Sequence, residues 1–221
     1  MSSLRETYGK DVATLMGAAL VLDTRLFKGK CVEADRVLAK GLGYVVEGGD
    51  GGDATAEAQE YFKVLSAKRA DVRGLTSAQK LRKDYKRWGE GQGAYGIATI
   101  PCSIQDWASD DSSWGDALAQ YATEEQVGLM MSMHTFTDAN GQFSRELVVH
   151  CADASKLEAV CKHMCADGHR AVQEATGAGS LMLTEHREFK DLVHTRAFQQ
   201  GNLKASRKQV QPVTEAFMNG R

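Results

Sequence analysis

The stretch Val127-Gly-Leu-Met-Met-Ser-Met-His-Thr-Phe-Thr137, followed by Asp138-Ala-Asn-Gly141 and then residues 142–151, is the clearest β-hairpin signal in the sequence. Its two arms carry apolar and β-branched side chains, which favour strands. Asn140-Gly141 supplies residues that accept the left-handed backbone of a tight turn. The stretch therefore predicts a β-sheet that contains a long antiparallel strand pair.

The segments on either side of the hairpin predict an α/β fold. Apolar spacing predicts helices over residues 54–72, from 76 or 77 to 88, and over 103–123, 154–166 and 214–218. Further strands are predicted over residues 94–100, 181–183 and 206–210, and the segment up to residue 198 is predicted to be helical or irregular. From residue 54 onward we expect a mixed β-sheet flanked by helices.

The N-terminal part of the chain predicts helices without a strand. Residues 10–22 and 33–42 have helical apolar spacing, and Glu47-Gly-Gly-Asp-Gly-Gly-Asp53 is typical of a flexible, polar linker. Two helices cannot bury their apolar faces alone. We therefore interpret residues 1–46 as a helical remnant of another domain, 47–53 as a linker and 54–221 as a second domain. The uncovered apolar face also predicts self-association or a protein partner.

Asp23 is a candidate functional residue because of its position on the first helix. It follows an apolar stripe at helical spacing and continues that stripe, which consists of Val12, Leu15, Met16, Ala19 and Leu22. A carboxylate facing apolar surface at the negative end of a helix dipole needs compensation. A metal ion or a neighbouring Arg or Lys would supply it. The alternative is an ordinary helix-ending Asp that turns into water.

The stretch Gly201-Asn-Leu-Lys-Ala-Ser-Arg-Lys-Gln-Val-Gln-Pro212 is the best candidate for an anion site. Arg207 offers a planar fork to two phosphate oxygens, and Lys208 beside it offers a compact point charge. In a regular strand the two side chains would point to opposite faces, so both reach one ligand only if the backbone turns. The alternative is a surface strand whose charges lie in water.

Composition excludes several classes of function. The 221 residues are 43% hydrophobic and 25% charged, and the formal net charge is -2, so a nucleic-acid partner is not expected. No apolar run reaches the length of a membrane span. Five cysteines without paired spacing indicate reduced thiols and a cytoplasmic protein.

His134 lies on a predicted strand, where a histidine at the edge of the core is more common than a catalytic base.

Three stretches, in order, resemble the exopolyphosphatase and manganese-dependent inorganic pyrophosphatase branch of the Asp-His-His phosphoesterase superfamily. Leu20-Val-Leu-Asp-Thr24 is similar to the last metal-binding motif of the family's N-terminal domain. Leu81-Arg-Lys-Asp-Tyr-Lys-Arg-Trp88 resembles the C-terminal segment whose lysine reaches phosphate. Ser206-Arg-Lys-Gln-Val210 resembles the family's Ser-Arg-Lys signature, and Phe143-Ser-Arg-Glu-Leu147 looks like a strand of its exopolyphosphatases.

The resemblance implies a role for each matching residue. Asp23 would be a catalytic ligand to Mn²⁺ or Mg²⁺, while Lys86, Arg207 and Lys208 would hold phosphate oxygens. Further substrate-binding residues would be Ser206, Asn202, His134 and Arg145. The implied substrate is polyphosphate, whose terminal phosphate is released, or alternatively pyrophosphate. Related pyrophosphatases usually carry two lysines after the signature Arg, whereas here a single lysine precedes Gln209, which favours exopolyphosphatase.

The chain departs from this family in its metal motifs. The earlier Asp and His motifs are absent, and none of the six histidines stands next to another. One carboxylate cannot assemble a two-metal site. We therefore expect this chain to correspond mainly to the phosphate-gripping C-terminal part of such an enzyme, or to a truncated, non-catalytic module that binds polyanions. A phosphate-storing organelle is the alternative location.

Overall fold

The computed structural model describes residues 6, 8–29, 31–45, 54–190 and 192–220. The chain divides into two compact units, Met1–Asp71 and Val72–Arg221. The predicted glycine-rich linker, residues 47–53, lies outside the described residues. Each unit has its own hydrophobic core, so each is described separately.

Among the described residues, the first unit has three helices around a small core. They are α1 (Lys10–Asp23), α2 (Glu33–Gly41) and α3 (Ala56–Ala70). All three helices were predicted, but α3 was assigned to the second domain. Instead, Ala58 of α3 is fully buried in one cluster with Val21 of α1 and Ala39 of α2. The boundary between the units therefore lies after α3, C-terminal to the predicted linker.

The buried face of α1 differs from the predicted one. Ala13, Gly17 and Leu20 face the core, whereas Val12 and Leu15 of the predicted stripe are exposed. The reason is a close approach: the ring of Tyr44 lies against the backbone of Gly17, where a Cβ would clash with it. Only glycine permits that contact, so Gly17 fixes which side of α1 faces Tyr44 and leaves Val12 and Leu15 exposed.

The second unit is built on a six-stranded mixed sheet in the order β1-β2-β3-β4-β6-β5. The strands are β1 (Tyr85–Trp88), β2 (Tyr95–Ile100), β3 (Leu129–Thr137), β4 (Phe143–His150), β5 (Leu183–Glu185) and β6 (Thr195–Gln200). Only the β2–β3 pair is parallel. The predicted hairpin is confirmed as β3–β4, and Gly141 in its turn has a φ of 77°. The predicted mixed α/β architecture is confirmed.

Helices cover both faces of this sheet. One face carries α4 (Ser77–Lys83), α5 (Ile104–Asp110) and α6 (Trp114–Glu124), which share a core with Ala98 and Ile100 of β2. The other face carries α7 (Ala154–Cys165), α8 (Arg170–Thr176) and α9 (Arg207–Met218), which share a core with Ile97 of β2. Neighbouring residues of one strand thus supply two separate cores, as the alternation of a pleated strand requires.

Five segments differ from the predictions. Residues 85–88 form strand β1 rather than the end of a helix, and residues 103–123 form two helices rather than one. Residues 206–210 are not a strand, because α9 begins at Arg207 and runs without interruption to Met218. Strand β6 and helix α8 were not predicted. The change at Arg207 matters most, because it places the predicted phosphate-binding residues at the start of a helix.

Candidate functional site

The first turn of α9 is fixed by a capping box. The Ser206 backbone N–H donates to Gln209 Oε1 at 2.9 Å, and Ser206 Oγ accepts from the Lys208 N–H at 3.4 Å. These contacts satisfy donors that a helix N-terminus otherwise leaves unpaired. Arg207 and Lys208 therefore lie in the turn where the helix dipole favours an anion.

Helix α9 packs against the sheet through residues that follow its first turn. Val210 and Val213 are buried in the core, and Gln211 Nε2 donates to the Tyr95 hydroxyl at 2.9 Å. Tyr95 in turn stacks on Trp88 of β1, with ring centroids 5.6 Å apart. The cationic first turn is thus attached to a rigid frame formed by β1 and β2.

Arg207 is bound to the chain at the start of β1. Its Nη1 donates to the backbone carbonyl of Asp84 at 2.7 Å, and its Nη2 donates to Asp84 Oδ1 at 2.8 Å. The Arg207 side chain is 18% exposed and that of Asp84 is 49% exposed. The contact joins residues 123 positions apart in the sequence. It brings the N-terminus of α9 next to the strand that carries Lys86.

Lys86 and Lys208 are exposed lysines. Lys86 pairs with Ile97 across the β1–β2 ladder, and paired residues point to the same face of a sheet. Because Ile97 contacts the α7–α9 core, Lys86 lies on the sheet face covered by α9. The first turn of α9 carries Arg207 and Lys208. We call Lys86, Arg207 and Lys208 the cation cluster.

Asn202 and Arg145 hold the loop that leads into α9. Asn202 is buried, and its Nδ2 donates to Thr176 Oγ1 at 3.0 Å and to the Ser180 carbonyl at 2.8 Å. Arg145 Nε donates to the Leu203 carbonyl at 2.8 Å. Both residues were predicted to bind substrate. Here their donors support the backbone of residues 202–203, so their effect on the cation cluster is through the position of this loop.

His134 does not lie at the surface, in contrast to its predicted contact with substrate. The side chain is fully buried beside Trp107, with ring centroids 5.4 Å apart. Nδ1 donates to the Cys102 carbonyl at 2.9 Å, which leaves Nε2 to accept from Ser132 Oγ at 3.0 Å. Burial lowers the pKa of His134 to about 4, so the ring is neutral. It is a core histidine, which was the alternative that the sequence favoured.

Asp23 lies in the first unit at the end of α1, where it is exposed. It lines a cleft of about 320 Å³ together with Asp35 and Leu38. Within the described ranges, no group of three or more His, Cys, Asp or Glu side chains could hold a metal ion. The carboxylates present at this cleft therefore do not complete a site for Mn²⁺ or Mg²⁺. The placement matches the alternative of a helix-ending Asp in water.

Two charged residues of the second unit were missed. Lys80 is 1% exposed, and its Nζ donates to Asp110 Oδ2 at 2.6 Å. Asp84 lies inside a quoted motif but was given no role. The sequence contained a weak signal for a role of Asp84, because it lies two residues before Lys86, which was predicted to bind phosphate. Nothing in the spacing distinguished Lys80 from its exposed neighbours.

No helix in the described part of the chain is both long enough and apolar enough to cross a membrane.

Comparison with known proteins places the chain in a family. The DHHA2 domain family matches residues 63–217, which is more than half of the chain. The rat (Rattus norvegicus) exopolyphosphatase PRUNE1 is 22% identical over 218 residues, which is 97% of this chain but 44% of that protein. Human (Homo sapiens) exopolyphosphatase PRUNE1 is 23% identical over 160 residues, or 72% of this chain and 33% of the relative. The chain thus spans less than half the length of these relatives.

A solved structure shows the same fold. It is that of a Methanococcus jannaschii protein described as a family II inorganic pyrophosphatase, with a TM-score of 0.53 and 19% identity. The match covers 95% of this chain and 56% of that one. The chain of 221 residues, with its mixed sheet and capped C-terminal helix, belongs to the DHHA2 domain family.

Proposed function

We propose that the second unit binds the phosphate groups of polyphosphate, or of pyrophosphate, through the cation cluster. In this proposal the chain is the phosphate-gripping part of an exopolyphosphatase-type phosphoanhydride hydrolase. The observation that carries it is the placement of Arg207 and Lys208 in the first turn of a capped helix, which covers the sheet face where Lys86 lies. The names of the PRUNE1 relatives support this choice of substrate.

The chemistry of the cluster suits a phosphate chain. A guanidinium has five N–H donors, and Asp84 uses two of those of Arg207, so three remain for oxygens of a ligand. The exposed ammonium of Lys208 adds a point charge, and the dipole of α9 adds to the favourable potential. Lys86, on β1, would supply a third cation for the further oxygens of a phosphate chain.

The hydrolytic step is a separate matter. Bound Mn²⁺ or Mg²⁺ would lower the pKa of a water molecule and so provide the nucleophile for phosphoanhydride hydrolysis. Asp23 stays a predicted ligand to such an ion, but the described residues around it do not complete a metal site. This same observation favours a second candidate function, which is binding of polyanions without catalysis.

The binding proposal is tested by titration calorimetry with tripolyphosphate and pyrophosphate in the presence of a chelator. Arg207→Ala and Lys208→Ala should each weaken binding by about 1.5–3 kcal/mol, as expected for lost hydrogen bonds to a charged group. Lys162→Ala is the matched control, because Lys162 is an exposed lysine on α7. Unchanged affinity in both cluster variants would refute the proposal.

Catalysis is tested by measuring phosphate released from tripolyphosphate, pyrophosphate and long-chain polyphosphate, with Mn²⁺, with Mg²⁺ and with chelator. Metal-dependent release that is lost in Asp23→Ala supports the hydrolase. If no release occurs but binding depends on Arg207, this chain is the phosphate-gripping part and does not carry out the hydrolytic step by itself. That binding should weaken with added salt, since exposed charges are screened.

A further inference from the structure

Asp84 occupies an unusual position for a carboxylate near a phosphate site. It follows α4 directly and precedes β1, with φ −143° and ψ 63°. Its backbone carbonyl accepts from the Thr99 N–H of β2 at 2.9 Å as well as from Arg207 Nη1. The hydrogen bond from Thr99 therefore fixes the Asp84 carbonyl within the sheet, independently of Arg207. Asp84 thus presents two acceptors, one backbone and one side-chain oxygen, on a fixed frame.

The charge of Asp84 opposes phosphate binding on electrostatic grounds. A carboxylate that is half exposed next to an anion site repels the ligand and cancels part of the attraction of the cations. If only electrostatic attraction determined affinity, a neutral residue at this position would give tighter phosphate binding. The hydrogen bonds from Arg207 to Asp84 have a second effect, which favours binding. An arginine side chain has many rotamers, and fixing it before the ligand arrives lowers the entropy cost of binding.

We propose that Asp84 is a positioning residue for phosphate recognition, acting by holding the guanidinium of Arg207 in its binding orientation. This inference rests on the proposed function of the cation cluster. Contact with the carbonyl and the carboxylate of one residue fixes both the position and the plane of the guanidinium. Its Nε–H and one N–H on each terminal nitrogen stay available for phosphate oxygens. The gain in preorganisation exceeds the repulsion from the Asp84 charge.

The test compares two variants that remove the same charge but differ in hydrogen bonding. Asp84→Asn keeps a side-chain oxygen that can accept from Arg207, whereas Asp84→Ala keeps only the backbone carbonyl. The dissociation constant of tripolyphosphate, measured in chelator, should rise about 10-fold in Asp84→Ala and by about 3-fold in Asp84→Asn. In Asp84→Ala with Arg207→Ala, the constant should equal that of Arg207→Ala alone, because Asp84 acts through Arg207.

Three results would overturn the inference. Affinity that is unchanged or increased in Asp84→Ala means that Asp84 acts only by its charge. Equal constants for the Asn and Ala variants mean that the side-chain hydrogen bond is irrelevant. Additive effects with Arg207→Ala mean that Asp84 acts by another route. If Asp84→Ala does not fold, the Asn variant and its double variant with Arg207→Ala decide the same question.

Controls separate this inference from the proposed function. Arg207→Ala is measured first: if it leaves tripolyphosphate affinity unchanged, the proposed function fails. If it weakens binding while Asp84→Ala does not, only the inference about Asp84 fails. Asp116→Ala makes the same change in net charge on α6, which covers the opposite face of the sheet. It should leave the dissociation constant unchanged.

Discussion

Acidification from pH 7 to pH 5 should destabilise the second unit by about 2 kcal/mol through His134 alone. Burial lowers the pKa of His134 from 6.5 to about 4, so the folded ring stays neutral while the unfolded ring takes up a proton below pH 6.5. The unfolded state therefore binds more protons in this window, and the free energy of unfolding falls as the pH falls. With those two pKa values, the loss is about 0.2 kcal/mol at pH 7 and about 2 kcal/mol at pH 5.

The assay is urea unfolding followed by tryptophan fluorescence at pH 7 and at pH 5. All three tryptophans lie in the second unit, so the signal reports on that unit. His134→Asn keeps a nitrogen donor for the Cys102 carbonyl but does not titrate. It should be less stable than the wild type at pH 7 and should lose about 2 kcal/mol less on acidification.

The wild type and His134→Asn are compared by the stability that each loses on acidification. This comparison separates the effect of His134 from those of His150 and His169, whose pKa values are also lowered by burial. If His134→Asn loses as much stability as the wild type between the two pH values, the reasoning from burial is wrong. An NMR titration in which the His134 ring protonates near pH 6.5 in the folded protein would contradict it as well.

Three further results are expected. Asp110→Ala should lower the free energy of unfolding by about 2–3 kcal/mol, because it leaves the Lys80 ammonium buried without its partner. Adding Lys80→Met should recover part of that loss in the same urea assay, and no recovery would mean that the unpaired charge is not the cause. Asn202→Ala should cost about 2 kcal/mol, since its amide donates two buried hydrogen bonds; an unchanged unfolding midpoint would contradict this. The exposed apolar side of α1 predicts self-association that Leu15→Glu abolishes, as measured by sedimentation velocity. A wild-type protein that is a monomer at every concentration would remove the basis for that prediction.

The elements that sequence reasoning found are those with strong local signals. The β3–β4 hairpin has two long arms and an Asn-Gly turn, and α4 is capped by Thr76, whose hydroxyl accepts from the Gln79 N–H. In such segments the side-chain pattern and the backbone preference agree. Both lie in the second unit, where they frame the sheet on which the cation cluster is built.

The wrong predictions come from sequence patterns that fit two different local structures. Residues 81, 85 and 88 are apolar at helical spacing, but Tyr85 and Trp88 belong to a strand of four residues, too short to show alternation. Helix α1 is apolar on both sides, so spacing could not identify the side that Tyr44 covers.

The candidate site was predictable in its residues but not in its geometry. The basic pair Arg207-Lys208 was visible in the sequence, but it was assigned to a predicted strand over residues 206–210. The overlooked signal was Ser206-Arg-Lys-Gln209, which has the spacing of a capping box. The contact with Asp84 could not be predicted, because it depends on how 123 residues of intervening chain fold.

The position of Lys86 on β1 has a consequence for the solubility of the protein. Strand β1 is one of the two edges of the sheet, and its outer N–H and C=O groups have no partner strand among the described residues. Natural sheets avoid joining edge to edge by keeping such strands short and charged, and β1 has four residues with Lys86 and Arg87 exposed at its centre. Lys86 therefore also disfavours aggregation through the exposed edge of β1. A bound polyanion that neutralises it, or a Lys86→Ala variant, should make the protein precipitate more readily.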